Sequence, residues 1–170
     1  MNAFTEALIS KEENLKYRDK LMLFGQFVGE WDFEWHDKNA NGKERIIPGE
    51  WIFSFVLEGS AVQDVFICPS RKERFKLKQP DSEYGTTIRF YNPKKDAWDV
   101  FYGCTGEATL LEAKPEGDKI VLTCLNTQDH IMKWVFSDIK KDSFHWQHMF
   151  SKDNGGTWNI NGELFAKRRK

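Results

Sequence analysis

The stretch FVGEWDFEWH, residues 27–36, decides the fold. Its odd positions carry Phe27, Gly29, Trp31, Phe33 and Trp35, while its even positions are mostly acidic. Alternation of apolar and polar residues with a period of two is typical of an antiparallel strand that buries one face. The stretch therefore predicts a strand over residues 27–35 whose rings face a core.

Nine further segments have strand-like composition and are separated by turns rich in Gly, Asn, Asp and Pro. They are residues 45–57, 61–68, 84–91, 98–104, 108–113, 119–125, 130–136, 143–151 and 157–167. Residues 69–82, which include Pro80, predict a longer loop. Parallel strands need long crossovers, and closing a sheet removes its exposed edges. We therefore expect an all-β fold, an antiparallel up-and-down β-barrel of about ten strands.

The first 25 residues predict the helical part of the chain. Ser10 and Glu13 match a capping box, apolar residues recur between Leu15 and Phe24, and Gly25 is a typical stop. We expect this short N-terminal helix to close one end of the barrel. The length of 170 residues predicts a single domain, with a helical segment over 1–25 and the barrel over 26–170.

Composition and charge argue against several classes of protein. The 25 basic and 26 acidic residues give a formal charge of −1, whereas nucleic-acid binding normally requires a basic face. No apolar run approaches the roughly 20 residues that cross a bilayer, and the N-terminus has no signal-peptide pattern. The three cysteines are odd in number and lack zinc-ligand spacing, which favours a reducing compartment. We expect a cytoplasmic protein, monomeric or homodimeric, without nucleic-acid or membrane partners.

The motif Gly29-Glu30-Trp31, placed after a short helix, resembles the Gly-x-Trp signature of the calycin superfamily, which includes lipocalins and fatty-acid-binding proteins. The resemblance implies that Trp31 plugs the closed end of a barrel. It also implies that a basic residue near the end of the chain, Arg168 or Arg169, lies over the indole in a cation–π contact.

A longer series of landmarks is similar to a bacterial lipocalin-like family of unknown function. The landmarks include LEGSA at 57–61, RFYNP at 89–93, FSDI at 136–139 and SKDNGGTW at 151–158. The last of these also matches a single Asp box, in which Asp153 caps the amides of a turn. One box in a chain of this size predicts a stable hairpin and not a glycosidase. The family resemblance implies a calycin-type barrel and no particular activity.

The aromatic content makes the barrel interior the candidate site. Seven Trp and fourteen Phe are many for this length, and about eight strands already give a barrel that side chains just fill. A cavity is therefore expected. The candidate ligand-binding residues are Trp35, Trp51, Phe53, His130, Met132, Trp134, Trp146 and His148, with the two histidines as polar anchors.

The sequence shows no motif for metal binding or for a catalytic nucleophile. His145 and His148 are three apart on a predicted strand, so their rings point to opposite faces and cannot chelate one metal. No nucleophile, phosphate-loop or dinucleotide motif is present, so no catalytic residue is assigned. Arg89 could meet an acidic ligand, as inward arginines do in fatty-acid-binding calycins, but the apolar face formed by Ile88 and Phe90 predicts that Arg89 faces outward.

The predicted function is lipocalin-like binding of a small apolar or aromatic molecule, without a cofactor. Three alternatives remain open. An interior histidine could bind haem, although residues 29–35 are poorer in glycine than the start of nitrobindin-like haem barrels. The barrel could be an isomerase- or cyclase-like enzyme in which His148 works with Tyr84, Tyr91 or Tyr102 as acid and base. Finally, side chains could fill the barrel, leaving an interaction protein.

Overall fold

The computed structural model describes residues 1–79 and 81–170, so Pro80 of the predicted 69–82 loop lies outside the described residues. The N-terminal segment contains α1 (Ala3–Leu8), the short strand β1 (Ile9–Ser10), a 3₁₀ turn (Leu15–Tyr17) and α2 (Arg18–Gly25). The strands that follow are β2 (Gly29–Lys38), β3 (Glu44–Val56), β4 (Ala61–Cys68), β5 (Glu83–Asn92), β6 (Ala97–Cys104), β7 (Glu107–Glu116), β8 (Lys119–Cys124), β9 (Ile131–Lys140), β10 (Ser143–Ser151) and β11 (Asn159–Arg168).

The barrel consists of β2 to β11, all paired antiparallel. Each strand from β4 to β10 pairs with the strand that follows it in the chain, and β11 pairs with β2. The pairings of β2 with β3 and of β3 with β4 close the ring. The predicted all-β, antiparallel barrel of ten strands is therefore confirmed. The strand β1 pairs with the last residues of β3, beyond those that pair with β2, through Ile9 with Val56 and Ser10 with Phe55.

The N-terminal capping box was a wrong prediction. Ser10 lies in β1, and its hydroxyl donates to the carbonyl of Glu12 instead of capping a helix. Pairing with β3 overrides the local capping signal. The helix α2 begins only at Arg18, and the unpredicted helix α1 is capped by Asn2, whose side chain accepts from the Thr5 amide.

Strand β9 also extends beyond its predicted end at residue 136. Asp138 has a positive φ of 49°, and the pairing with β10 shifts register between Ser143 and His145. The strand thus continues to Lys140 through a bulge-like irregularity of the backbone.

The helix α2 covers one end of the barrel, called the closed end below. Leu21 and Phe24 are buried in the same core cluster as the barrel strands, and the Phe24 ring packs edge-on against Trp98 at 5.1 Å. Phe27, which follows α2, lies 4.9 Å from Phe136 and fills the space between the strands. The predicted helical closure of one end is confirmed.

Trp31 is the centre of the closed end. Its indole is fully buried, and its N–H donates to the carbonyl of Phe27 at 2.7 Å. The Arg168 guanidinium lies 4.2 Å from the ring centroid and donates to the carbonyls of Val28 and Gln26 at 2.8 Å each. Of the two arginines considered, Arg168 therefore makes the cation–π contact. It ties the last strand to the segment after α2.

The Asp-box hairpin joins β10 to β11. The Asp153 carboxylate accepts from the Thr157 amide at 2.8 Å, from the Thr157 hydroxyl and from Ser151. These hydrogen bonds lower the pKa of Asp153 to about 2. Trp158 lies beneath Lys133, whose ammonium is 4.4 Å from the ring centroid. The hydrogen bonds of Asp153 lie within the hairpin itself, which fits a structural role for the motif.

No helix in the described residues has the length and apolar character to span a membrane.

Candidate ligand-binding cavity

A cavity of about 250 Å³ occupies the barrel interior away from α2. Along β2, Trp31 lies at the closed end and Trp35 reaches the cavity; along β10, Phe144 and His148 divide in the same way. Inward residues four apart on one strand therefore lie at different depths of the barrel, one in the closed end and one at the cavity. The described residues that line the cavity are Trp35, Trp51, Phe66, Glu83, Thr87, Tyr102, Glu107, Trp134, Trp146, His148 and Asn161.

Aromatic rings form a continuous wall around this cavity. Trp146 lies 6.0 Å from Trp35, 6.1 Å from Trp51 and 5.6 Å from Trp134 between ring centroids. Tyr102 continues the wall, 5.3 Å from Trp134 in an edge-on arrangement. These distances are those of favourable aromatic pairs, so the rings hold one another in place.

Two inward-facing glycines give the rings room to lie against the barrel wall. A Cβ built on Gly162 would come within 2.2 Å of the Trp35 indole, and one on Gly85 within 2.5 Å of the Tyr102 hydroxyl. Real Cβ atoms do not approach other atoms so closely, because the overlap is repulsive. Both glycines are therefore required for the present size of the cavity.

Glu83 and Tyr102 form the main polar contact of the cavity. The Tyr102 hydroxyl donates to the Glu83 carboxyl from the neighbouring strand. Burial raises the pKa of Glu83, and Glu107 and Asp64 raise it further, while the hydrogen bond from Tyr102 opposes the rise. Burial also raises the pKa of Tyr102 well above its ordinary value, so the hydroxyl keeps its proton.

His148 is the second polar group of the cavity. Burial lowers its pKa, and the nearby His130 adds a smaller lowering effect, so the neutral imidazole is favoured at neutral pH. Its Nδ1 lies 3.4 Å from the side-chain nitrogen of Asn161. The β10–β11 pairing skips a residue here, since His148 pairs with Gly162 and Met149 with Ile160. This bulge leaves Asn161 unpaired at the rim.

Five of the eight predicted ligand-binding residues line the cavity, namely Trp35, Trp51, Trp134, Trp146 and His148. The other three lie elsewhere: Phe53, Met132 and His130. Phe53 packs against Phe27 at 5.7 Å towards the closed end, and Met132 packs against the edge of the core. His130 precedes β9 and contacts the carboxylate of Asp129 at 2.8 Å.

His145 and His148 do face opposite sides of β10. His145 stacks on Phe165 and contacts the Glu163 carboxylate at 2.7 Å on the outside. Among the residues that the structure describes, no group of three His, Cys, Asp or Glu side chains could hold a metal ion.

The sequence reasoning missed Glu83, Thr87, Glu107, Asn161 and Phe66. The first two share a cause, because the inward face of β5 carries Glu83, Gly85, Thr87 and Arg89. This face is more polar than the outward one. The rule that the apolar face points inward therefore selects the wrong side of this strand.

The outward orientation predicted for Arg89 was wrong for the same reason. Its side chain is 1% exposed and donates to the equally buried Asp64 carboxylate at 2.6 Å. Asp64 lies diagonally across from it on β4, where it also accepts from the Thr87 amide at 3.2 Å. The guanidinium lies between the rings of Phe24 and Phe53, at 5.0 and 5.4 Å. Burial raises the pKa of Asp64, and Arg89 opposes that rise. Neither member of the pair lines the cavity.

A smaller pocket of about 110 Å³ adjoins the cavity and shares Trp35, Phe66 and Glu83 with it. Among its described lining residues is Arg45, whose guanidinium contacts Asp37 at 2.6 Å and Asp81 at 2.5 Å. Both carboxylates hold this arginine at the wall.

Comparison with known proteins establishes the fold class. No protein-family model and no curated protein sequence matches the chain. Among solved structures, the S-type phycobiliprotein lyase CPES from Guillardia theta aligns with a TM-score of 0.55 at 9% identity, covering 87% of this chain and 91% of that one. Rv2717c from M. tuberculosis aligns with a TM-score of 0.57 at 11% identity, covering 89% and 98%. The chain therefore has a lipocalin-like barrel fold.

Proposed function

We propose that this barrel binds a small molecule with one or two rings in the aromatic-walled cavity. The observation that carries the proposal is the division of the interior. Rings pack the closed end around Trp31, while Trp35, Trp134 and Trp146 leave a space at the other end. Concave, mostly apolar sites with a few polar groups are typical of small-molecule binding.

The size of the cavity limits the ligand. At about 250 Å³ it is larger than the engineered cavity of about 150 Å³ that takes benzene, and smaller than the roughly 300–1,000 Å³ of drug-sized sites. Haem is a large macrocycle and would require the indole walls to move apart. His148 lines the cavity, but a space of about 250 Å³ does not fit the group. We therefore propose no haem, and added haemin should show no ligation-dependent shift of its Soret band.

A binding role suits the polar groups better than acid–base catalysis does. The Tyr102 hydroxyl donates to Glu83, and His148 contacts Asn161, so these two described side chains do not form the expected pair. Tyr84 is 53% exposed, and Tyr91 packs against Tyr17 at 5.4 Å near the closed end. His148 and Thr87 remain as hydrogen-bonding anchors for a ligand. The structural neighbours support the barrel architecture, and the lining of the cavity supports the kind of ligand.

The proposal is tested with benzyl alcohol as a neutral one-ring probe. Binding is followed by quenching of tryptophan fluorescence and by calorimetry. Thr87→Leu extends an apolar side chain into the cavity, whereas Thr123→Leu makes the same change on the outer side of β8. We expect the Thr87 variant to weaken binding at least tenfold and the Thr123 variant to leave it unchanged. Equal binding by both variants, or no binding by the unmodified protein at millimolar probe, would overturn the proposal.

A further inference from the structure

We propose that the cavity is an aromatic cage for a small organic cation, such as a protonated amine or a quaternary ammonium group attached to a ring. The inference rests on the proposed binding function and names the charge of the ligand. Both the aromatic lining and the ionisable groups of the cavity support it.

The rings are of the types that attract cations most strongly. Four indoles, those of Trp35, Trp51, Trp134 and Trp146, line the cavity together with the Tyr102 phenol. The negative face of an aromatic ring attracts a cation, Trp most strongly, and the attraction grows when water is excluded. Indoles linked at centroid distances of 5.6–6.1 Å surround any guest on several sides.

The formal charges around the cavity are acidic. Glu83 and Glu107 are among its described lining residues, which include no lysine or arginine. His148 is held in its neutral form by burial. An acidic ligand would thus approach two carboxyl groups without gaining a basic partner, whereas a cation would favour the ionised form of Glu83 and pair with it.

The nearest arginines do not compensate Glu83. Arg74, in the loop before β5, donates to the backbone carbonyl of Glu83 at 3.4 Å and lies over the Tyr84 ring. Arg45 lines the adjoining pocket but contacts Asp37 and Asp81.

The other ionisable groups near Glu83 are acidic or neutral. Asp64 on β4 and Glu107 on β7 both raise the pKa of Glu83, and Tyr102 on β6 donates a neutral hydrogen bond. Cys68 on β4 also lies near, with its pKa raised by burial to about 12, so the thiol is neutral. Glu83 is therefore a partly buried carboxyl whose surroundings disfavour its charge, and a bound cation would restore that charge.

The inward arginine of the barrel gives no site for an acidic ligand. Arg89 is paired with Asp64 at 2.6 Å and lies outside the cavity lining. A ligand that occupies the cavity therefore does not reach this guanidinium.

The test compares three probes of one shape and different charge: benzylamine, benzyl alcohol and benzoate, at pH 7.5 in low salt. We expect benzylamine to bind at least tenfold more tightly than benzyl alcohol, and benzoate to bind most weakly. Glu83→Gln should weaken benzylamine binding far more than benzyl alcohol binding, and so remove most of the preference for the amine. Glu116→Gln, an exposed carboxylate at the other end of β7 from Glu107, is the matched control and should keep the preference. Glu107→Gln gives a second test if the Glu83 variant fails to fold.

A pH series adds a readout that a purely structural role of Glu83 would not change. Benzyltrimethylammonium keeps its charge at every pH, so any change in its affinity reports on the protein. Because burial raises the pKa of Glu83, the affinity should rise from pH 5 towards pH 8 as the carboxyl loses its proton, and Glu83→Gln should flatten the curve. Alcohol binding that equals or exceeds amine binding overturns the charge assignment alone. Failure of all the probes to bind overturns the binding function as well.

Discussion

Replacing Arg89 with methionine tests the most unusual feature of the core, its buried ion pair. The change removes the guanidinium that lies 2.6 Å from the Asp64 carboxylate, with both side chains no more than 1% exposed. Removing one partner of a buried pair costs about 3–5 kcal/mol, because the other charge stays without compensation. For a chain of this length we expect the midpoint of thermal unfolding to fall by about 6–20 °C.

The loss of stability in Arg89→Met should depend on pH. Arg89 lowers the pKa of Asp64, so removing it lets burial raise that pKa further. The folded variant then holds a proton that the unfolded chain releases, and its stability falls as pH rises towards the pKa in the folded state. Urea unfolding followed by circular dichroism should therefore show a larger deficit against the unmodified protein at pH 8 than at pH 5.

Two matched variants make the experiment decisive. The double variant Arg89→Met/Asp64→Leu removes both charges and should regain stability to within about 2 kcal/mol of the original protein. Arg18→Met breaks an exposed pair with Glu13, in which Arg18 is 64% exposed, and should cost less than about 1 kcal/mol. A single variant as stable as the original protein, or a double variant less stable than Arg89→Met, would refute the buried pair.

Three further predictions concern the closed end, the cavity wall and the thiols. Arg168→Met should destabilise the fold by about 2–4 kcal/mol, because it loses charged hydrogen bonds and a cation–π contact. Arg168→Lys should lose less stability because it keeps the charge. Unfolding free energies within error of the original protein for both variants would contradict the geometry. Gly162→Ala should push the Trp35 ring away from the barrel wall, which should lower the free energy of unfolding by about 1–3 kcal/mol and weaken probe binding. An unchanged unfolding curve and an unchanged affinity would show that Trp35 does not approach Gly162 closely. Cys68 should resist thiol reagents at pH 8, because burial raises its pKa to about 12, while the less buried Cys104 should react. Rapid labelling that persists in Cys104→Ser and maps to Cys68 by mass spectrometry would be inconsistent with the burial of Cys68.

The fold could be predicted from strand-like segments separated by turns, and much of the cavity wall from period-two alternation. On β2 the pattern sends Trp31 and Trp35 to one face, and on β10 it does the same for Trp146 and His148. A face that is apolar at every second residue has one favourable orientation, so such strands reveal their inward residues. What alternation does not give is the position along the barrel axis. It could not separate Phe53, at the closed end, from Trp51, in the cavity.

The remaining parts of the site depend on partners distant in sequence. Arg89 and Asp64 can both face inward because each compensates the other across two strands, and neither residue alone indicates this. The inward position of Glu83 depends likewise on the Tyr102 hydroxyl and on Gly85, which makes room for that ring. Where polar groups satisfy one another inside a barrel, local hydrophobicity points to the wrong face.

The indole N–H signals of the seven tryptophans in a ¹H–¹⁵N correlation spectrum test the central claim most directly. Each signal can be assigned from a single Trp→Phe variant, and benzyl alcohol can then be titrated into the unmodified protein. The account predicts that the four signals of the cavity wall, from Trp35, Trp51, Trp134 and Trp146, shift together along one binding curve. The signals of Trp31 and Trp98 at the closed end and of Trp158 at the surface should remain in place. Shifts confined to Trp158, or of equal size in all seven, would show that the probe does not enter the cavity.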